Sequence, residues 1–210
     1  MTALVGEARG LENFQARLSF FPKVAARSAK LAVNDTLRWA RVKASKEVRS
    51  QINLTASYLN QTNRLFVSRF ASDNRLSGVL SARRRPTQLA QFSAKQRVSR
   101  IRNGPAQRKG IRVKVKRSGT SKVLRGAFFV KLKRGSQGDG NVGVAVRSTD
   151  GLNLRNAGVS SGKNHSGFRV LYGPSVDQVF DTVREDLSPV LSGRLQTRFD
   201  HHFSRLLKIN

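Results

Sequence analysis

The chain has 210 residues, 40 of them Lys or Arg and only 12 Asp or Glu, which gives a formal net charge of +28. Its 38% hydrophobic content, with 12 Phe, is enough for the core of one domain or two small ones, whereas the absence of Cys excludes disulfides, thiolate metal sites and Cys nucleophiles. No apolar window is long enough for a transmembrane helix, and the N-terminus lacks a basic region followed by an apolar run, so we expect neither a membrane span nor a signal peptide.

The first third of the chain has the apolar period of an amphipathic helix. Apolar residues recur every three or four positions from Phe14 to Ile52, and most basic residues fall outside that stripe. Pro22 fits the first turn of a helix, so it is expected to divide a short first helix from a long second one. A further short helix is predicted from Leu54 to Leu59, with Asn53 as its N-cap.

The middle of the chain changes to the period of two that is typical of β-strands. Residues 111–116 alternate between apolar and basic, which predicts three β-branched side chains on the core and Arg112, Lys114 and Lys116 on the opposite face. The other predicted strands are residues 65–70, 76–82, 128–133, 142–146 and 168–172. Short turns separate several of them, which favours an antiparallel sheet with one face covered.

The last third returns to the helical period. An apolar stripe runs from Val176 to Leu206, but Ser188 and Pro189 interrupt it in an order that suits the start of a new helix. We therefore predict a kinked or broken pair of C-terminal helices. Ser175 is expected to cap the first of them, after a turn from strand to helix at Gly173-Pro174.

These elements predict the α+β class, with an antiparallel β-sheet flanked by a long N-terminal helix and by C-terminal helices. We expect a single domain over residues 1–210, in which helices occupy 1–61, a basic β-sheet region with long loops occupies 62–175 and the C-terminal helices occupy 176–210. Residues 83–110 and 148–167 receive no predicted element. Loops of that length are usually functional or disordered.

The charge is concentrated in one part of the sequence. From Asn74 to Gly138 there are 19 Lys or Arg and no Asp or Glu, whereas the last 35 residues hold five of each sign. Repulsion among so many like charges costs stability unless an anion offsets it. Nucleic acid is therefore the first candidate partner, and a loop kept soluble by its charge is the alternative.

Few residues suggest an enzyme, and we expect no catalytic, cofactor or metal site. The acidic residues near 177–186 suit the start of a helix, and His201 and His202 point in different directions on a helix, so they cannot bind one metal together. Residues 135–140 fit a hairpin turn better than a phosphate-binding loop, since they lack the ending of a Walker motif. The outward residues of the basic strand include no aromatic ring, which favours phosphate contacts over base recognition.

Three stretches of the sequence carry a family resemblance. The first is the Ala-rich basic helix from Lys30 to Arg49, with the short helix after it. The second is the basic sheet region with its Arg-rich segment and the run from Arg125 to Phe128. The third and most specific is the segment Tyr172, Gly173, Pro174 and Ser175, which opens the long C-terminal helical region. In these stretches and in their order the chain resembles the minor tail protein Z family of tailed bacteriophages, which are tail completion proteins.

The resemblance implies a non-enzymatic structural protein of the virion, located in the tail at the head–tail junction and made in the host cytoplasm. It also implies a fold similar to that of tail terminator proteins and a homo-oligomeric ring, hexameric in the family, that meets the tail terminator and head–tail connector proteins. Double-stranded DNA would occupy the lumen, and no membrane would be involved. Such a lumen needs cations, and the candidate DNA-facing residues are Arg83, Arg84, Arg85, Arg97, Arg100, Arg102, Arg108, Lys109, Arg112, Lys114, Lys116 and Arg117.

Two other classes of function compete with this interpretation. The first is a free, non-specific nucleic-acid-binding protein of the ribosomal or nucleoid type, which the charge alone would favour. The second is an enzyme acting on nucleic acid, which would need acidic metal ligands that the basic region lacks. The amphipathic C-terminal helices, balanced in charge, and the absence of stacking aromatics on the basic strand favour the structural protein.

Overall fold

The computed structural model describes residues 22–60, 64–99, 107–132, 142–147, 160–165 and 168–208. A long N-terminal helix, antiparallel sheets and a long C-terminal helix follow one another, which confirms the predicted α+β class. The chain forms two compact units, each drawn from segments that are distant in sequence. Unit 1 takes its described residues from 22–48, 59–84 and 177–208, and unit 2 takes its own from 49–58 and 85–176.

Helix α1 spans Pro22–Gln51, so Pro22 begins a helix as predicted. The predicted helix before it lies outside the described residues. Most apolar side chains of the expected stripe are small and buried: Ala25, Ala29, Ala32, Ala40, Ala44 and Val48. Small side chains let a neighbouring element approach the helix backbone closely.

Helix α2, Ala56–Asn60, is real, but the prediction of Asn53 as its cap is wrong. The Tyr58 N–H donates instead to Thr55 Oγ1 at 3.1 Å. The Asn53 side-chain amide donates to Ser93 Oγ at 3.1 Å and to the Lys114 carbonyl at 3.2 Å. Asn and Thr are both suitable N-caps. The Asn53 side chain is engaged in tertiary hydrogen bonds, so Thr55 caps the helix instead.

In unit 1, strands β1 (Leu65–Arg69) and β2 (Val79–Ala82) form an antiparallel hairpin, close to the predicted strands. Helix α1 holds the connection between them, because the Asn34 side chain bonds both to the N–H and to the carbonyl of Ala71, at 2.8 and 3.1 Å. Arg41 of the same helix donates from Nε to the Leu65 carbonyl at 3.0 Å. The hairpin is therefore attached to the helix at both ends of β1.

Helix α3 is continuous over Val176–Leu207, so of the predicted kink or break at Pro189 the break is wrong. Buried apolar residues flank the proline on both sides, namely Val176, Val179, Phe180, Val183 and Leu187 before it and Phe199, Phe203 and Leu206 after it. Pro189 is exposed, as is Glu185, the residue whose carbonyl loses its helical donor, so water can replace that bond. Packing at both ends thus outweighs the local cost of the proline.

Helices α1 and α3 pack together inside unit 1. Ala25, Ala29 and Ala32 form one cluster with Phe199 and Phe203, whose rings stack with centroids 5.5 Å apart. The small residues of one helix accept the large rings of the other, which explains the Ala-rich composition of α1.

Unit 2 contains a five-stranded antiparallel sheet. Its strands are β3 (Pro86–Gln88), β7 (Phe128–Lys131), β8 (Val142–Arg147), β9 (Ser160–His165) and β10 (Phe168–Ser175). Strand β10 pairs with β3, β8 and β9, and β7 pairs with β8. Strand β8 is buried from Gly143 to Val146 on both faces, so the expectation of one covered face is wrong here. A 3-10 turn at Leu89–Gln91 packs on β8.

A second sheet of unit 2 consists of β4 (Lys95–Ser99), β5 (Gln107–Val113) and β6 (Lys122–Leu124), in that order. With the hairpin of unit 1, the described strands form three sheets rather than the one sheet predicted. Alternation indicates which side chains face a core, but it carries no information on which strand becomes the neighbour, so the sequence could not separate the sheets.

The prediction of a turn at Gly173-Pro174 is also wrong, because both residues lie within β10. Gly173 pairs with Thr87 and Ser175 with Pro86, which leaves Pro174 as the extra residue of a bulge, where its missing N–H breaks no ladder bond. A Cβ on Gly173 would lie 2.6 Å from the Phe92 ring, so the glycine allows close packing. Helix α3 begins immediately afterwards, and Ser175 as its cap stays a prediction.

The two segments without predicted elements contain strands after all. Residues 83–110 hold β3, β4 and the first part of β5, and residues 148–167 hold β9. These strands are short and polar, so they lack the apolar alternation that reveals a strand in sequence. The predicted hairpin turn at 135–140 lies outside the described residues, although β7 and β8, which it joins, do pair antiparallel.

Candidate nucleic-acid interface

The two units use their cations differently. The described residues of unit 1 include 17 Lys or Arg and eight Asp or Glu, whereas those of unit 2 include 16 Lys or Arg and no acid at all. No described carboxylate of unit 2 can therefore neutralise its cations. Any surface on which those cations gather is a candidate for binding an anion from outside.

The sheet of β4, β5 and β6 gathers three exposed cations on one face. The register places Lys95 of β4 directly opposite Arg112 of β5, and opposed residues share a face. Arg97 lies two residues beyond Lys95 on β4 and therefore points the same way. All three are exposed, and the three strands contain neither an acid nor an aromatic residue. We call Lys95, Arg97 and Arg112 the cationic face.

A bulge shapes the end of this face. Lys109 and Gly110 of β5 together oppose Arg97, because the register shifts by one residue between Gln96 and Val98. Gly110 has a φ of 97°, and a Cβ there would come within 2.1 Å of the Leu124 carbonyl oxygen. Only glycine fits that position. The bulge leaves Lys109 exposed beside the cationic face.

The opposite face of the same sheet is apolar and buried. Ile111 is fully buried, and Val113 and Leu124 are nearly so. Burial of that face fixes the sheet, so the cations on the other face project from a rigid support. The alternation at 111–113 is thus confirmed, with Arg112 outward as predicted.

The predicted strand does not continue to Lys116, because β5 ends at Val113. Beyond it, the Lys114 N–H donates to the Phe92 carbonyl at 3.3 Å and the Arg117 N–H donates to the Gln51 carbonyl at 3.0 Å. Lys116 forms an isolated bridge with Ile52. These backbone contacts redirect the chain, so Lys114 is half-buried while Lys116 and Arg117 are exposed outside the ladder. The prediction of three cations in one row is therefore wrong beyond Arg112.

The three consecutive arginines 83–85 do not form one uniform cluster. The backbone of Arg83 bonds to the Arg64 carbonyl and to the Asp177 N–H, at 2.9 and 3.2 Å. Arg84 Nε contacts Asp177 Oδ2 at 3.3 Å, so a carboxylate of unit 1 already lies against this guanidinium. Arg85 is exposed and belongs to unit 2.

The side chains of three of the twelve predicted DNA-facing residues are not described. Arg100 and Arg102 lie outside the described residues, and Arg108 is placed only as a member of β5, opposite Val98. On the cationic face, the residue that the sequence reasoning missed is Lys95. The alternation of Lys95, Gln96 and Arg97 was the available signal, but it is too short to stand out in a segment without apolar partners.

Within the part of the chain that the structure describes, no group of three or more potential ligands could hold a metal ion. His201 and His202 lie edge to face with ring centroids 5.4 Å apart. His202 Nε2 contacts Asp35 Oδ2 of α1 at 2.9 Å, so this side chain joins two helices. Neither long helix, over its described residues, has an apolar stretch sufficient to span a bilayer.

Comparison with known proteins returned no matching family model, no matching curated protein and no matching solved structure. The resemblance to the tail completion family therefore stays a prediction that rests on its sequence segments.

Proposed function

We propose that this chain is a non-enzymatic structural protein of a tailed bacteriophage, namely a tail completion protein. It forms a homo-oligomeric ring at the head-proximal end of the tail, helps to join the tail to the head, and surrounds double-stranded DNA. The observation that carries the DNA contact is the cationic face of unit 2, which has no described carboxylate in its own unit. The segment from Tyr172 to Ser175 and the order of elements carry the assignment to the virion.

The chemistry of the cationic face suits DNA that passes through a protein without recognition of its base sequence. Lys and Arg neutralise phosphates and release counterions, a contribution that is independent of base sequence. These three strands contain no aromatic residue on which a base could stack. The protein would therefore hold the duplex electrostatically at any position along its length.

A free, non-specific nucleic-acid-binding protein is the second candidate, because the same charge would serve it. The two candidates differ in assembly, since a tail completion protein works as a ring and a nucleoid or ribosomal protein does not need one. Assembly state is therefore the measurement that separates them.

The test combines mass and shape of the purified full chain. We expect sedimentation to give one closed oligomer and negative-stain images to show rings with a central opening, which bind duplex DNA without sequence preference. A monomer that binds DNA equally well would favour the second candidate. Ring particles that bind no duplex at low salt would remove the DNA contact from the proposal.

Location in the virion gives an independent test. In particles of a phage that encodes this chain, we expect a C-terminal label at the head–tail junction. A label found elsewhere on the particle, or absent from it, would overturn the assignment as a tail completion protein.

A further inference from the structure

We infer that the outer face of the β4–β5–β6 sheet is the surface that holds the phosphate backbone of duplex DNA, and that Lys95, Arg97 and Arg112 make the contacts. This inference rests on the DNA contact of the proposed function and assigns it to one surface. It adds Lys95, which the sequence did not suggest, and it separates these residues from Arg83 and Arg84, which belong to unit 1.

The cross-strand pair is the strongest observation. Like charges directly opposite each other in adjacent strands destabilise a sheet, yet Lys95 and Arg112 occupy such a pair. No described carboxylate of unit 2 lies between them to relieve the repulsion. An anion bound over the pair would turn this cost into a favourable interaction, as a phosphate group does with Lys and Arg.

The spacing of the three residues suits a series of phosphates rather than one small anion. Directly opposed residues lie about 5 Å apart, and residues i and i+2 of a strand lie about 7 Å apart. Successive phosphates on one DNA strand advance about 3.4 Å along the helix axis, so flexible Lys and Arg side chains on this grid can contact two or three of them.

The composition of the face favours a duplex over a single strand. Proteins that bind single strands combine a basic groove with aromatic side chains on which bases stack. Strands β4, β5 and β6 contain no aromatic residue. A duplex hides its bases and presents phosphates, which cations can bind without stacking aromatics.

The decisive experiment is the salt dependence of binding to a mixed-sequence DNA duplex by the full chain. Each phosphate contact contributes a slope of about −0.9 in log K against log salt. We expect the triple variant Lys95→Gln, Arg97→Gln, Arg112→Gln to lose about 2–3 units of that slope. The matched control, Lys23→Gln, Lys46→Gln, Arg75→Gln, removes three exposed cations of unit 1 and should lose less than about 1 unit.

Further variants keep the test independent of folding. The charge-retaining variant Lys95→Arg, Arg97→Lys, Arg112→Lys should keep the wild-type slope, and thermal unfolding should show the Gln variant folded. Duplex DNA should raise the Tm of the wild type more than that of the Gln variant.

The possible results separate the inference from the function on which it rests. If the wild type binds duplex and the Gln variants of units 1 and 2 lose the same slope, the cationic face is not the binding surface. The protein would still contact DNA. If the wild type prefers single-stranded DNA, the choice of a duplex is wrong. If the wild type binds no nucleic acid, the proposed DNA contact fails, and the inference fails with it.

Discussion

The two units carry almost the same number of described cations but differ completely in their acids. In unit 1 at least four of the eight described carboxylates lie against cationic groups, in the pairs Lys30–Asp73, Arg38–Asp35, Lys43–Glu47, Arg84–Asp177 and His202–Asp35. The described residues of unit 2 include no carboxylate. Several cations of unit 1 thus take part in internal ion pairs, whereas the described residues of unit 2 supply no carboxylate for such pairs.

A total charge of +28 is therefore a poor guide to the location of a binding surface. Arg84 and Arg112 look alike in a sequence that is basic throughout the middle third. One contacts a carboxylate, and the other faces a lysine across a strand pair. Only the second arrangement is improved by an external anion.

The largest effect is expected in the core of unit 1. Phe199 is 1% exposed and stacks on Phe203, so Phe199→Ala should lower the free energy of unfolding by about 3–5 kcal/mol. Urea denaturation measures the change. The control Val190→Ala lies on the same helix at a half-exposed position and should change stability by less than about 1 kcal/mol. Equal stability of the two variants would contradict the packing of α1 on α3.

The next largest effect concerns the bulge in unit 2. Gly110→Ala combines a φ of 97° with a Cβ directed at the Leu124 carbonyl, so we expect a loss of at least about 2 kcal/mol in the free energy of unfolding and weaker DNA binding. The helical control Gly193→Ala meets nothing within 4 Å and should stabilise the protein by about 0.5–1 kcal/mol. A Gly110→Ala protein with wild-type stability would show that the bulge is not needed.

A smaller effect is expected for a substitution that should raise stability but weaken DNA binding. Lys95→Glu places opposite charges across the pair with Arg112 and should raise the free energy of unfolding by about 0.2–1 kcal/mol, while duplex binding weakens. In the control Lys131→Glu the opposed residue is Val142, so the same change in net charge should leave stability nearly unchanged. If both variants gained stability equally, general repulsion rather than the cross-strand pair would be the cause.

The smallest effect is a pH dependence in unit 1. Lys30 Nζ lies 2.7 Å from Asp73 Oδ1, and this hydrogen bond and charge lower the pKa of the Asp73 carboxyl. Because the folded pKa is the lower one, the ion pair contributes fully above the unfolded pKa of Asp73, and its contribution is lost as the pH falls through the folded value. An NMR titration should find the pKa of Asp73 below its ordinary value, and higher in Lys30→Gln than in the wild type. Identical titrations would contradict the contact.

Much of the fold was predictable because the apolar residues recur with a clear helical or strand period in the sequence. The stripe of α1, the buried residues of α3 and the outward position of Arg112 all follow from spacing. The errors lie where a local signal competed with distant contacts. Asn53 is a good cap that bonds elsewhere, and Pro189 is a good helix start that lies inside a helix anchored at both ends.

The candidate site was predictable in its chemistry and less so in its geometry. The carboxylate-free middle third indicated a polyanion, and nine of the twelve named cations have described side chains. Their separation into exposed, half-buried and carboxylate-contacting groups depended on strand pairing, on ion pairs and on the hydrogen bonds of residues 114–117 with Gln51 and Asn53. Lys95 became visible only because β4 pairs with β5.

The α+β class, the order of helix, strands and helix, and the region of excess charge all follow from composition and apolar period, because each is a property of neighbouring residues. Tertiary structure alone decided that the strands form three sheets, that Gly173 and Pro174 belong to a strand, and that Lys95 opposes Arg112. Strand partners are remote in sequence, and their pairing is chosen by the burial of whole faces together. The residue pattern of one strand therefore does not indicate which strand pairs with it.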